Sequence, residues 1–527
     1  MANDRLTALD TSFLTSEDDS TNLCVGAVEV LAGPAPSHEE VVEAIEPRLD
    51  RLPRFRQRLA TVPLGLGRPR WVDDPHFRIT NHVRHAAVPA PGGPPQLQAV
   101  FAGFISEHMR RDRPLWELWL VEGLEGGRFA VMHKIHHALV DGIASIKVLE
   151  TLLDTERRPR AARAKAWSPQ AGPSTARLLA DAVLERAAPP ELVRSAAGLV
   201  RSPRRTVKSA VRTVAGVAGI VGAQLNPAPT TPYNRPVGPR RSFSWQRESL
   251  DDLKAIKNAL QGSLNDAVLA VVAGALGRDL ARRGCQTRGL ELQVFVPVSV
   301  REELQSTSGN EVSGLRVPLP VGIGDPVERF KRIHETMQGL KQSAEPFGSL
   351  AATEITGLVP PGLSERLSGL GSRQRYVNVV VSNVPGPQTT LYLRGREVED
   401  VFPCLPIGGN LALGIVIVSY AGKMEFGFTG DADVLPDVDQ LPGVLHASLV
   451  ELAEAAGTEV SEPSPVEQSA SPSGGGEPWP GYDEQTVEEI RRVVTRLDRE
   501  ARRRVRAYER RHKDRATVRR ALDGQTG

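Results

Sequence analysis

The stretch Phe129-Ala-Val-Met-His-Lys-Ile-His136-His137-Ala-Leu-Val-Asp141-Gly142 decides how the rest of the chain is read. It opens as an apolar run of the length of a buried strand and closes on two adjacent histidines. Side chains alternate across a strand, so His136 and His137 should point in different directions. One can face a cleft while the other packs or hydrogen-bonds inside. Gly142 gives the backbone freedom to turn into the helical run from Ile143 to Leu153, and the short carboxylate of Asp141 sits where it could fix that turn. A lone histidine in an apolar strand is ordinarily a packed or surface group. Two histidines followed at fixed spacing by an aspartate and a glycine form a more specific constellation.

With 527 residues the chain is too long for one core, which points to two domains plus extra segments. A hydrophobic share of 40% is enough for globular cores but short of a membrane protein, and a net charge of +2 excludes a polycation that binds nucleic acid with its whole surface. Cys24, Cys285 and Cys404 are far apart and lack metal-ligand spacing, so neither a metal site nor a disulfide framework is expected. The first residues lack a cationic-then-apolar signal pattern, and no apolar run reaches the roughly 18 residues of a membrane span. The expectation is a cytoplasmic protein that touches a membrane only from its surface.

Outward from the histidines, Arg113-Pro-Leu-Trp116-Glu-Leu-Trp119-Leu reads as a buried strand begun by proline, and Gly123 to Gly127 as a hairpin turn back into the histidine strand. Trp116 and Trp119 then lie on its partner strand, where core packing is the plain reading. Earlier, Ser37 is a helix N-cap before His38 to Leu49. In the second half, Ser263-Leu-Asn265-Asp266 introduces a long apolar helix, and local sequence alone reads the pair as capping chemistry. Strands follow at 292–300, 312–320 and 376–387, a helix at 325–341, a hairpin at 411–429 and a closing helix at 434–455.

Composition divides the chain. Residues 1–155 form a first domain and 242–456 a second. Between them, 156–241 is a basic helical linker rich in Arg, Ala, Pro and Ser, either a solvated spacer or a basic amphipathic surface for an anionic bilayer or oil droplet. Residues 457–480, rich in Ser, Pro, Glu and Gly, read as a disordered linker. The tail, 481–527, has a helical pattern. Its stretch from Arg491 to Arg520 carries fourteen Lys/Arg against four Asp/Glu, which suits a solvated helix, a helical partner, anionic lipid or nucleic acid.

The His-His-x-x-x-Asp-Gly stretch resembles the active-site motif of the CoA-dependent acyltransferase superfamily. The Pro-Leu-Trp run, the Asn265-Asp266 pair and the Ser382-Asn-Val-Pro-Gly run resemble motifs of its bacterial wax ester synthase/diacylglycerol acyltransferase branch, and the similarity spans roughly residues 4–456. The resemblance implies two mixed α/β domains like chloramphenicol acetyltransferase, joined by the helical linker, with the active site at their interface. It implies His137 as general base, Asp141 holding the turn and His136 as its structural neighbour. Asn265, Asp266, Trp116 and Gly142 are candidates for substrate or oxyanion contact, Asn265 first among them. The implied reaction moves a fatty acyl group from acyl-CoA, a co-substrate rather than a cofactor, to diacylglycerol or a long-chain alcohol, without a metal. The implied location is cytoplasmic, peripheral to the inner membrane or lipid droplets, and no nucleic acid is expected, though the basic tail leaves that open. Rival readings are transfer to a polyketide or peptidyl substrate, or a catalytically silent lipid-binding relative.

Overall fold

The computed structural model describes residues 4–140, 142–158, 167–187, 227–299, 312–343, 374 and 376–461, with Tyr482, Glu488, Ile490 and Val505. Residues 1–463 form one compact unit and 464–527 another. The basic stretch 203–218 lies outside the described residues, as does almost all of 457–480 and of the tail.

In chain order the first half supplies α1 (Ala8–Thr15), β1 (Cys24–Leu31), α2 (His38–Ile45), β2 (Gln57–Ala60), β3 (Arg70–Asp73), β4 (Val83–Ala87), α3 (Pro94–Ser106), β5 (Trp116–Glu122), β6 (Phe129–His136), α4 (Gly142–Leu152) and α5 (Thr175–Ala187). The second supplies β7 (Arg241–Ser249), α6 (Leu250–Ala259), α7 (Leu264–Arg282), β8 (Leu292–Ser299), β9 (Val312–Leu319), α8 (Pro326–Ser343), β10 (Val379–Pro385), β11 (Tyr392–Leu393), β12 (Arg396–Cys404), β13 (Leu413–Tyr420), β14 (Lys423–Asp431) and α9 (Leu441–Ala456). The fold is mixed α/β, as the sequence leads one to expect. Local chemistry sets the helix starts: Ser37 caps α2 by accepting from the Glu40 amide at 3.2 Å, and Ser249 caps α6 through the Asp252 amide at 3.2 Å.

Two six-stranded sheets carry the molecule, in the orders β11-β12-β1-β6-β5-β4 and β7-β14-β13-β10-β8-β9. The first is antiparallel except where β4 runs parallel to β5. The division at residue 242 therefore follows the order of the chain but not that of the sheets. The strands β11 and β12 come from the second half yet complete the first sheet, β12 pairing with β1 from Gly26↔Cys404 to Leu31↔Val398. The reason is an edge: without β12 the side of β1 facing away from β6 would leave its backbone groups unpaired. Tyr233 and Val237, within the expected linker, are already buried in the core of the second sheet.

The first sheet has a core on each face. Alternating residues Val25, Ala27, Val131 and Ile135 pack with α2 and α4, whereas Val28, Ala130 and Met132 pack with α3 and with Phe243 and Trp245 of β7. That second face is where the two sheets meet, and Trp245 stacks on Phe402 of β12 at 4.5 Å. The helix α7, buried along nearly all its length, packs with α9 against the second sheet. Among the described residues no single helix is long and apolar enough to cross a membrane.

Candidate active site

The strand β6 ends at His136, and His137 begins the turn that follows. The two histidines part, as their alternation requires. His136 is 1% exposed. Its Nδ1 accepts from the Ala138 amide at 3.0 Å, and its Nε2 lies 3.1 Å from Glu17 Oε1. A nitrogen that accepts a backbone N–H carries no proton, so the N–H of the ring lies on Nε2, on the side of Glu17. Glu17 is itself held by the Leu23 amide and by Arg111, each at 2.8 Å. Burial pushes its carboxyl up, but His136, Arg111 and the Leu23 amide outweigh burial and bring it down to about 2.

His137 is only partly buried. Its amide donates to Leu23 O at 2.9 Å, and its ring stacks on Phe13 at 4.2 Å. Phe13 is carried by α1, whose start is a capping box: Thr7 Oγ1 accepts from the Asp10 amide at 3.0 Å, and Asp10 accepts from the Thr7 amide at 3.2 Å. Asp10 thus fixes the helix that presents Phe13 to the histidine. Asp141 lies outside the described residues. Gly142 opens α4, which runs beneath the first sheet and reaches β10 of the second.

In the second half of the chain, α7 is capped by Ser263, not by Asn265. Asp266 closes that capping box by accepting from the Ser263 amide at 2.8 Å and also lies 2.8 Å from His334 Nδ1, so it is tied up structurally. Asn265 is spared from the cap. Its Oδ1 faces Nδ2 of Asn383 at 3.5 Å, on β10 within the Ser-Asn-Val-Pro-Gly run. Trp116 is buried: its Nε1 donates to Phe55 O at 2.8 Å and its ring stacks on His82 at 4.7 Å. Trp119, three residues on, faces the other side of the sheet against Phe104. An apolar pocket lies between the first sheet and α4, bounded by Trp116, Ile135, Val148 and Leu152 among others.

The chain matches the model of the wax ester synthase/diacylglycerol acyltransferase catalytic domain over residues 6–268, and that of the WS/DGAT C-terminal domain over residues 308–453. It belongs to the wax ester synthase/diacylglycerol acyltransferase family. Among family members, the probable diacylglycerol O-acyltransferase tgs1 of Mycobacterium tuberculosis is 32% identical over 453 residues, covering 83% of this chain and 93% of that one. The tgs2 protein of the same organism, similarly named, is 32% identical over 463 residues, covering 85% and 98%. The solved wax ester synthase/diacylglycerol acyltransferase from Marinobacter aquaeolei VT8 superposes with a TM-score of 0.62 at 28% identity, covering 86% of this chain and all of that one. A condensation domain of the calcium-dependent antibiotic synthetase shares the fold, with a TM-score of 0.56 at 17% identity over 87% of this chain and 98% of that one. The chain is thus an acyltransferase of this family. Sequence reasoning did not single out Phe13, Glu17 and Asn383 as site residues. Asn383 sits in the Ser-Asn-Val-Pro-Gly run whose family resemblance was visible, whereas Glu17 lies in a polar stretch with no local signal.

Proposed function

We propose that the protein moves a long-chain fatty acyl group from acyl-CoA to diacylglycerol and/or a long-chain alcohol, with His137 as general base. The observation that carries this reading is the contrast between the two histidines. His136 is buried, with Nδ1 accepting from Ala138 and Nε2 3.1 Å from Glu17, while His137 is only partly buried in the turn and stacks on Phe13. A hydroxyl is a poor nucleophile at neutral pH and needs a base of near-neutral pKa within hydrogen-bond reach. His137 takes the alcohol proton as the oxygen attacks the thioester carbon. The tetrahedral oxyanion is met by Asn265 or by backbone amides, and Asp141 holds the turn. The C–S bond then breaks, and the thiolate of CoA leaves with the proton that His137 returns.

The reading extends to contact with a membrane or lipid-droplet surface, supported by the basic composition of residues 201–221. Co-sedimentation with anionic vesicles should fall when that stretch is deleted. The chemistry is tested by His137→Ala in the purified protein, with palmitoyl-CoA as donor and dioleoylglycerol or hexadecanol as acceptor. Transfer should drop by about a thousandfold or more. A variant that retains wild-type transfer would remove His137 from the mechanism.

A further inference from the structure

Three residues with polar side chains, Glu29, Glu117 and His133, line the apolar pocket, and the reaction above uses none of them. Glu29 on β1 and His133 on β6 both face it, and His133 Nδ1 lies 3.0 Å from Glu29 Oε1. Alternation fixes this placement. Val25, Ala27 and Leu31 share the face of Glu29 on β1, and Val131 and Ile135 that of His133 on β6, and all belong to one apolar cluster. Glu29 is 1% exposed. Apart from the approach of His133, no donor among the described residues reaches either of its carboxyl oxygens. A buried polar group left short of partners costs roughly 1–3 kcal/mol. An aliphatic residue would satisfy β1 at this position, as Ala27 and Leu31 do. A pair that breaks the pattern of its strand, with acceptor capacity to spare, suits a ligand that brings the missing donor.

The strand sets the depth of that donor. On β6 the pocket is lined by Ile135, His133 and Val131; Ile135 lies two residues before His137 in the chain, and His133 lies two residues further along the same face. Four residues of strand span about 14 Å, and an extended alkyl chain covers that distance in about eleven carbon–carbon bonds. We propose that this pocket receives the chain of an acyl donor bearing a mid-chain hydroxyl, which donates to Glu29 beside His133 about ten to twelve carbons from the thioester carbonyl. The inference rests on the proposed acyl transfer at His137 and adds to it a preference for oxygenated chains.

The test sets 12-hydroxyoctadecanoyl-CoA against octadecanoyl-CoA, at equal concentration and with dioleoylglycerol as acceptor, on the full chain. The hydroxylated donor should be used about tenfold more efficiently, the effect of one buried hydrogen bond. Moving the hydroxyl to carbon 2 should abolish the preference. The double variant Glu29→Val/His133→Leu should lose or reverse it, and Glu29→Met is a second variant with the same expected outcome should the first not fold. Equal use of both donors by the wild type, or a preference that survives both variants, would overturn the inference. Displacement of a fluorescent fatty acid by free 12-hydroxyoctadecanoate and by octadecanoate reads the pocket without catalysis. If that preference holds while neither donor is consumed, the pocket assignment stands and the transfer reading fails. If it is absent, the pocket assignment falls.

Discussion

Glu17 does its work at one remove from the chemistry. It meets His136, whose Nδ1 holds the Ala138 amide in the turn that displays His137. Glu17 is therefore a positioning residue, and Glu17→Gln should lower kcat by about tenfold or more with little change in KM, because misplacing the turn disturbs alignment rather than substrate binding. A purely structural role would leave kcat of the folded fraction unchanged, and steady-state kinetics on the purified variant separate the two. The same carboxyl carries a pH signature. Its value in the fold, about 2, lies below the ordinary 4.5. A lowered carboxyl stabilises the fold above its unfolded value and loses that contribution as pH falls toward its folded one. The gap in thermal stability between wild type and Glu17→Gln, on the order of 3 kcal/mol at most, should be full at pH 6 and close between pH 4.5 and about 2. A gap that stays constant over that range would show that the Glu17 charge is not the source.

At the scale of elements, glycines separate the places where backbones must meet from those where a side chain is merely missing. A Cβ on Gly427 of β14 would lie 1.7 Å from Pro403 O of β12, a clash with backbone that cannot give. By contrast Gly103 in α3 and Gly443 in α9 are exposed and would meet nothing within 4 Å. Gly427→Ala should prevent a native fold, whereas Gly103→Ala and Gly443→Ala should each stabilise by about 0.5–1 kcal/mol, read as a rise in the midpoint of denaturant unfolding. The same contrast marks what could be read beforehand. The strand–turn–helix around His137, the β5–β6 hairpin, the Ser37 cap and the β13–β14 hairpin rest on local chemistry, and the sequence carries them plainly. The strand β12 does not announce itself: Arg396-Glu-Val-Glu-Asp-Val reads as polar, and its partner β1 lies at the far end of the chain. Glu29 and His133 are visible as polar residues within apolar runs. That they face each other follows only from the register, which sets Ala27 opposite His133 and Glu29 opposite Val131.

Across the whole molecule, the exchange of β11 and β12 makes the two halves interdependent, and the crossing of β12 over β14 is held by polar groups as well as by Trp245 and Phe402. Asp400 of β12 accepts from Lys423 Nζ and from Arg247 Nη1, each at 2.8 Å. Beside it Glu425, with no exposed surface, accepts from the Val401 amide. Burial, and then the charge of Asp400, push the Glu425 carboxyl well above its usual range, against the opposing pull of Lys423 and Arg247. The crossing therefore sets two carboxyls side by side where burial and the charge of Asp400 disfavour ionisation of Glu425. The sign of the linkage follows. A raised carboxyl stabilises the fold below its unfolded value, near 4.5, and that contribution is lost as pH rises toward its folded one, because the unfolded chain gains by ionising. Glu425→Gln keeps the carbonyl that accepts from Val401 and removes the titration. Its melting temperature should match the wild type near pH 4 and exceed it increasingly as pH rises to 8. A variant less stable than wild type at pH 8 would mean that Glu425 is charged in the fold and paired with Lys423 or Arg247. In that case the two sheets would be joined by an ion-pair cluster that includes Glu425.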